Sequence, residues 1–419
     1  MSVTILTNAS VLDPIAGSLQ SRDLAICDGE IVTVPPTSSW GQHEVLDCEG
    51  GVLSPGFVDL YGDVRNGPKD GQAAFQGGFT TVMQSIRADS ELDTVAAVTA
   101  RIAKAQVGAP CRVLVPGAVT RGLKGEQLAE MGLIARAGGY CVSQGTKPIQ
   151  SGLVLQRAFE YAERLNLTVM IRGGDVELEQ AGVVKADDYA VRYGLPGILP
   201  ESEEMGIFRI ATLARRVGLK VHISHVWSAR GVSALARVRS ECEDLTASTT
   251  VHHLTLNRQQ LPPYQGVARF VPPLGDTQDQ EALLEGLRSG LLDAVASDHC
   301  PAPKHEKERE IEDATPGCIS YEVAFPRVLA AFSGDVIATC KALSAGPRRV
   351  LKLPEAHLAV GERADVVLLA PSASWSLTDQ TILSSHQNAS RPEESLTGKV
   401  EGAWMHGQSH FELGRPSTS

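Results

Sequence analysis

No stretch of this 419-residue chain reaches the roughly 20 apolar residues that cross a bilayer. The first residues, Met1-Ser2-Val3-Thr4-Ile5-Leu6-Thr7-Asn8, lack the basic region and apolar core of an export signal. Both absences lead us to expect a cytoplasmic protein with no membrane attachment. An excess of basic charge is missing too: 38 Lys and Arg stand against 49 Asp and Glu, for a net charge of -11. Nucleic-acid surfaces need clustered cations to neutralise phosphates, so nucleic acid is excluded and a small molecule or a protein is the expected partner. The eight cysteines include no CxxC pair and no regular spacing. That excludes a zinc ribbon and a disulfide framework, leaving free, mostly buried thiols.

What is present is a globular composition, 43% hydrophobic and 21% charged, in a chain too long for one ordinary core. A barrel of about 250 residues plus a smaller unit suits that length. From Val3 to about Gly51, short apolar runs alternate with turn residues, as in Leu24-Ala25-Ile26-Cys27-Asp28-Gly29-Glu30-Ile31-Val32, where Asp-Gly marks a hairpin. The same texture returns at Ala364 to Leu369 and Gly398 to Trp404. We therefore expect residues 1–54 and 351–419 to form one β-sandwich domain and residues 55–350 to be inserted between them. The insert alternates short apolar runs with helical stretches such as Leu153 to Leu165 and Glu203 to Val217, the pattern of parallel strands with crossover helices. Eight runs are countable: Phe57–Tyr61, Thr80–Gln84, Arg112–Pro116, Tyr140–Ser143, Thr168–Arg172, Lys220–His225, Leu245–His252 and Asp293–Asp298. The fold class expected is α/β, a (β/α)8 TIM barrel with a small β-sandwich formed from both termini; an open doubly wound sheet is the alternative. In a barrel the chemistry gathers at the C-terminal ends of the strands.

At the first of those ends stands Pro55-Gly56-Phe57-Val58-Asp59-Leu60-Tyr61-Gly62-Asp63-Val64-Arg65, which resembles the PGFVDxHxHxR signature of the cyclic amidohydrolases, the dihydroorotase, hydantoinase and allantoinase family. Further matches run along nearly the whole chain: Gly77-Gly78-Phe79-Thr80-Thr81-Val82, His222-Ile223-Ser224-His225-Val226, Val251-His252-His253-Leu254, Pro272-Pro273-Leu274, Ser297-Asp298-His299-Cys300-Pro301 and Gly361-Glu362-Arg363-Ala364-Asp365. Within the family they look most like dihydroorotase. The resemblance implies a barrel of the amidohydrolase type with zinc at its mouth, gripped by two His two apart on the first strand. Residues at that spacing point the same way. Here those positions hold Tyr61 and Asp63. The family's bridging acid or carbamylated Lys at strand four corresponds to Ser143-Gln144-Gly145-Thr146-Lys147-Pro148, with Gln144 in the ligand position and Lys147 read as a solvated loop lysine. Its strand-five His falls at Arg172, a fixed cation that opposes a metal.

Two family ligands are kept, His225 and Asp298, the latter also the family's general base. Arg65 matches the arginine that pairs with a substrate carboxylate, whereas the family's two Asn and one Arg contacts fall at Arg87, Val271 and Gly275. The expectation drawn from these replacements is a noncatalytic dihydroorotase-like protein without zinc or other cofactor, whose vestigial site is Asp298, His225, Arg65 and His299. By resemblance to inactive homologues of this family, its partner would be the catalytic chain of aspartate transcarbamoylase in pyrimidine biosynthesis, and a homo-oligomer is expected. One alternative is a working hydrolase of a cyclic amide on a reduced site of Asp63, His225 and Asp298, with Asp298 as base. A second is a metal-free binder that holds a dicarboxylate between Arg65 and Arg87. We expect His225 and Asp298 to hydrogen-bond each other or a neighbour, Arg65 and Arg87 to pair with Asp63 and Asp298, and His252 and His253 to be structural. Cys300 is expected to pack as a small apolar group, and Lys304 to Glu310 to form a solvated loop over the mouth.

Overall fold

The computed structural model describes residues 3–87, 92–105, 107–242, 244–355, 357–391 and 393–409. Met1, Ser2, Ala88 and residues 410–419, the ends of the expected β segments among them, lie outside the described residues. The hairpin forms where Asp-Gly stands: Leu24–Cys27 pairs antiparallel with Glu30–Val32, and Asp28 and Gly29 take φ of 50° and 87°, the left-handed pair a two-residue turn requires. This hairpin joins Thr4–Thr7 and Glu44–Asp47 in a four-stranded sheet. A six-stranded sheet unites the two termini, because Val52–Pro55 pairs with Val366–Leu369 in register Val366↔Pro55. Side chains of both sheets share one core that includes Leu6, Leu24, Ile26, Leu53, Val366 and Trp404.

Between the terminal segments the chain is α/β. Its parallel runs are Phe57–Gly62, Phe79–Gln84, Arg112–Leu114 continued by Gly117–Ala118, Val142–Ser143, Val169–Arg172, Val221–Ser224, Leu245–Thr250 and Ala294–Ala296. Each pairs with the next in sequence order, the third serving the second through Arg112–Leu114 and the fourth through Gly117–Ala118. Main-chain bonds also tie the end of the eighth run to the first, from Asp298 N to Tyr61 O and from Asp63 N to His299 O, both 3.0 Å. Nearly every residue of these runs is buried, as expected of parallel strands covered on both faces.

The crossover helices follow their apolar spacing. Helix Gly152–Arg164 starts at Ser151, whose hydroxyl accepts from Val154 N, and buries Leu155, Ala158, Phe159 and Ala162 on one stripe. Truncating Phe159 to Ala would cost roughly 3–5 kcal/mol, since that ring is fully inside. Helix Pro200–Val217 begins on a proline and stops at Gly218 in the left-handed region, φ 69°. No helix among the described residues is long and apolar enough to cross a membrane. All eight cysteines are free, and only Cys27 is not fully buried.

Candidate active site

The carboxyl ends of the parallel runs surround a cavity of about 720 Å³ lined by Arg65, Arg87, Lys147, Arg172, Asp298 and Cys300, with others. A larger hollow of about 1440 Å³ lies beside it and includes Lys69, Lys307 and Arg309, but not Asp298, which the smaller cavity includes. The strand-end chemistry therefore belongs to the smaller cavity.

Asp63 is fully buried at the end of the first run. Arg65, two residues on, reaches back with Nε 2.8 and 2.9 Å from its oxygens and Nη2 at 2.5 Å. Arg87 stands 3.7 Å from the same carboxylate and 3.9 Å from Asp298. Burial alone would raise the Asp63 carboxyl, but hydrogen bonds from Arg65 and the charge of Arg87 outweigh it and hold the group below the usual carboxylate range. The expected pairing of Arg65 and Arg87 with Asp63 and Asp298 is thus found. Its consequence is that the Arg65 fork, read from sequence as a substrate clamp, is occupied by Asp63.

Asp298 is buried as well, and burial works against its charge; the His225 ring and the charge of Arg87 are among the groups that prevail and lower it. His225 Nε2 lies 3.7 Å from Asp298, outside hydrogen-bond range, so the expected bond between them is corrected to an electrostatic contact. Among the described residues neither buried His225 nitrogen has a hydrogen-bond partner, and the Tyr61 ring meets the imidazole edge-on at 4.6 Å. His225 and Asp298 have φ of 57° and 50°. Two non-glycine residues in the left-handed region, at the ends of the sixth and eighth runs, are held there by their surroundings, at a cost of about 1–3 kcal/mol each.

The replaced positions are knit into other contacts. Tyr61 donates its hydroxyl to Ile86 O at 2.7 Å, and burial pushes its ionisation well up, so it stays a neutral donor. Gln144 is bonded to the Thr120 hydroxyl at 2.9 and 3.0 Å. Arg172, expected as a bare cation facing the metal position, is instead neutralised: its guanidinium pairs with Glu179 through both terminal nitrogens, and Nε donates to Thr146 O at 2.7 Å. Glu179 escaped the sequence reading because it lies seven residues further on, in the short helix Val176–Glu179 outside the strand. Gly275, aligned with the family's arginine, has no room for a side chain, since a Cβ there would come within 2.5 Å of Asp279.

The remaining candidates lie around these residues. His253 bonds Thr250 Oγ1 at 2.8 Å and Pro272 O at 3.0 Å, and burial depresses it to about 4. His252 is depressed by burial to about 3 and lies 4.9 Å from the Phe270 ring. His299 accepts from Ser320 N at 3.0 Å, stacks on Tyr321 and does not line the cavity. Burial pushes the Cys300 thiol up to about 12, which leaves it protonated, and it donates to Pro316 O. Lys147 is exposed. The solvated-loop reading of Lys304 to Glu310 needs correction at Lys307: this residue is buried, and its ammonium donates to Thr315 O at 2.8 Å and Gly317 O at 2.9 Å. Mixed sign in the sequence gave no hint that two carbonyls awaited it.

The donor set does not fit the zinc centre that the resemblance implies. One imidazole and one carboxylate, His225 and Asp298, are available, Asp63 is held by two guanidinium groups, and Tyr61 and Gln144 are committed elsewhere. Among the described residues no group of three or more His, Cys, Asp or Glu could hold a metal ion.

Comparison with known proteins adds what this geometry does not. Residues 50–230 match the family model described as dihydro-orotase-like. The chain is 30% identical to the dihydroorotase of Sulfurihydrogenibium sp. (strain YO3AOP1) over 96% of its own length and 98% of the relative's. It is 31% identical to that of Caldanaerobacter subterraneus subsp. tengcongensis, covering 97% of each. Among solved structures, L-hydantoinase from Arthrobacter aurescens superposes with a TM-score of 0.85 at 19% identity, covering 100% of this chain and 98% of that one. Dihydropyrimidinase from Brevibacillus agri NCHU1002 gives 0.81 at 18%, covering 98% and 95%. These neighbours establish the amidohydrolase type of α/β fold. The full-length relatives overturn the expectation of a noncatalytic protein, since they carry an enzyme's name. They overturn the expectation of no cofactor as well, because dihydroorotases and hydantoinases are typically zinc-dependent.

Proposed function

The chain belongs to the dihydroorotase family of cyclic amidohydrolases, and from that membership we propose that it hydrolyses a cyclic amide of the dihydroorotate class in the cavity bordered by Asp298 and Arg87. The observation that carries the reading is the similarity to dihydroorotases over essentially the whole chain. The cavity supports it with a buried carboxylate kept ionised beside a guanidinium, in a ring of eight strands that we read as a closed barrel.

In this reading water adds to the ring carbonyl carbon, the ring C–N bond breaks, and the product is an open-chain carboxylate. Asp298 takes the proton from the attacking water and returns it to the departing amide nitrogen, a role worth roughly 10²–10⁴ in rate. The guanidinium of Arg87 supplies positive charge beside it, and the low-dielectric surroundings strengthen that charge. His225, a buried imidazole against the Tyr61 ring, lies 3.7 Å from the base.

The test is ring opening of dihydroorotate by the purified chain beside its Asp298→Asn variant. Turnover that falls at least a hundredfold in the variant supports the reading, and equal rates for the two would sink it. Association with the catalytic chain of aspartate transcarbamoylase rests on family resemblance and is a separate proposal; co-elution of the two purified proteins supports it, and separate elution rejects it.

A further inference from the structure

We propose that His386, carried to the barrel mouth by the C-terminal β segment, is a substrate-contacting residue that donates a ring N–H to the carboxylate of an anionic cyclic amide; this deepens the cyclic-amide reading above and rests on it. Among the described residues that line the smaller cavity, His386 alone comes from outside the barrel segment. It lines the larger hollow as well and so stands at the boundary between the two. On the side of the hollow are Lys69, Lys307 and Arg309, and on the side of the cavity is the buried Asp298. A ligand carboxylate is repelled by the charge of Asp298 and favoured at the basic boundary, which leaves the ring amide to face the base.

The chain is built to hold His386 there. Strands Val366–Ser376 and Ser395–Met405 pair antiparallel, and the segment between them, instead of turning tightly, runs out over the barrel. Just before His386, Ser385 donates its N–H and hydroxyl to the two oxygens of the buried Asp70 carboxylate, at 2.8 and 2.9 Å. Leu383 N, Ser384 N and the Ser384 hydroxyl donate to one oxygen of Glu322, at 3.1, 2.9 and 2.6 Å. Just after it, the Asn388 amide accepts from Ala302 N at 3.1 Å and donates to Cys300 O at 2.8 Å, two residues beyond Asp298. Asp70 lies in helix Pro68–Gln76 and Glu322 in helix Tyr321–Ala331, so the barrel grips the strap on both sides of His386. Bonds to carboxylates are the stronger kind, and a side chain fixed between two such anchors loses little further freedom when a ligand arrives. His386 escaped the sequence reading because Ser384-Ser385-His386-Gln387-Asn388 carries no family motif.

The test uses orotate, the planar ring carboxylate, as a nonhydrolysable probe, with its dissociation constant read by calorimetry on the full chain and the thermal midpoint measured beside it. Loss of one hydrogen bond to a charged group weakens binding roughly ten- to a hundredfold, so H386A should do this with its midpoint unmoved, and H386Q, which keeps an N–H donor, should recover part of it. In dihydroorotate turnover the same loss should raise KM more than it lowers kcat, because the contact is to a group that does not react. The inference is overturned if H386A binds orotate within about twofold of the parent, if its binding loss comes with a lowered midpoint and H386Q restores neither, or if the parent does not bind orotate. Turnover also separates the claims: orotate binding lost in H386A without any turnover in the parent leaves His386 standing and rejects the hydrolase, and turnover with binding indifferent to His386 does the reverse.

Discussion

Replacing Glu179 by Ala should destabilise the fold by about 3–5 kcal/mol, because Arg172 would remain buried without its counter-ion. Arg172 is 2% exposed and Glu179 is 13% exposed, so solvent screens the pair weakly. At 3.0 Å between Nη1 and Oε1, the gross attraction in a medium of effective dielectric near 20 is on the order of 5 kcal/mol. The hydrogen bonds of Arg172 to the carbonyls of Thr146 and Gly173, at 2.7 and 3.2 Å, are unaffected by the change and keep the guanidinium partly satisfied. Urea denaturation followed by tryptophan fluorescence is a suitable assay, since Trp227 is buried in the same part of the fold. Glu179→Gln should fall between parent and Ala variant. The paired change Arg172→Met with Glu179→Leu should cost less than Glu179→Ala alone, because it leaves no orphaned charge. The reasoning is refuted if Glu179→Ala costs under about 1 kcal/mol, or if the paired change costs more than the single one.

Other consequences follow from particular contacts. Glu203 is fully buried, and burial raises it to about 8 from its ordinary 4.5, so the native state keeps a proton that the unfolded chain gives up in that window. Stability should fall as pH rises from about 4.5 towards 8, and Glu203→Gln should flatten that slope in denaturation midpoints measured across the window. Gly145→Ala should lower the urea denaturation midpoint, because its Cβ meets Ile86 O at 2.6 Å and its φ of 63° favours glycine; an unchanged midpoint would refute this. Cys300→Ser should leave turnover within about threefold of the parent, since a thiol pushed up to about 12 is not the nucleophile; a loss beyond a hundredfold would give that thiol a chemical role.

Much of the fold was legible because its signals are local. Asp28-Gly29 dictates its turn through backbone conformation, the eight runs announce themselves by apolar bursts between amphipathic stretches, and Leu24 to Val32, Ala364 to Leu369 and Gly398 to Trp404 share a strand texture that led us to pair the termini. Arg65 and Asp63 were legible as a pair for the same reason, being two apart at one strand end. What escaped were contacts between residues far apart in sequence or in different elements: Tyr61 to Ile86, Gln144 to Thr120, Arg172 to Glu179, and Lys307 to the carbonyls of Thr315 and Gly317. No periodicity reports where a polar side chain finds its partner. The functional reading failed for a different reason. Counting missing zinc ligands at Tyr61, Asp63, Gln144 and Arg172 measured distance from one known arrangement, whereas full-length relatives named as enzymes bear on the activity itself.

The central claim is that the cavity between Asp298 and Arg87 opens a cyclic amide. Its most direct test is the rate at which the purified chain converts dihydroorotate to carbamoyl aspartate, measured beside Asp298→Asn under identical conditions. Conversion by the parent, with at least about a hundredfold loss in the variant, is the predicted result. A parent rate no higher than that of Asp298→Asn would contradict it.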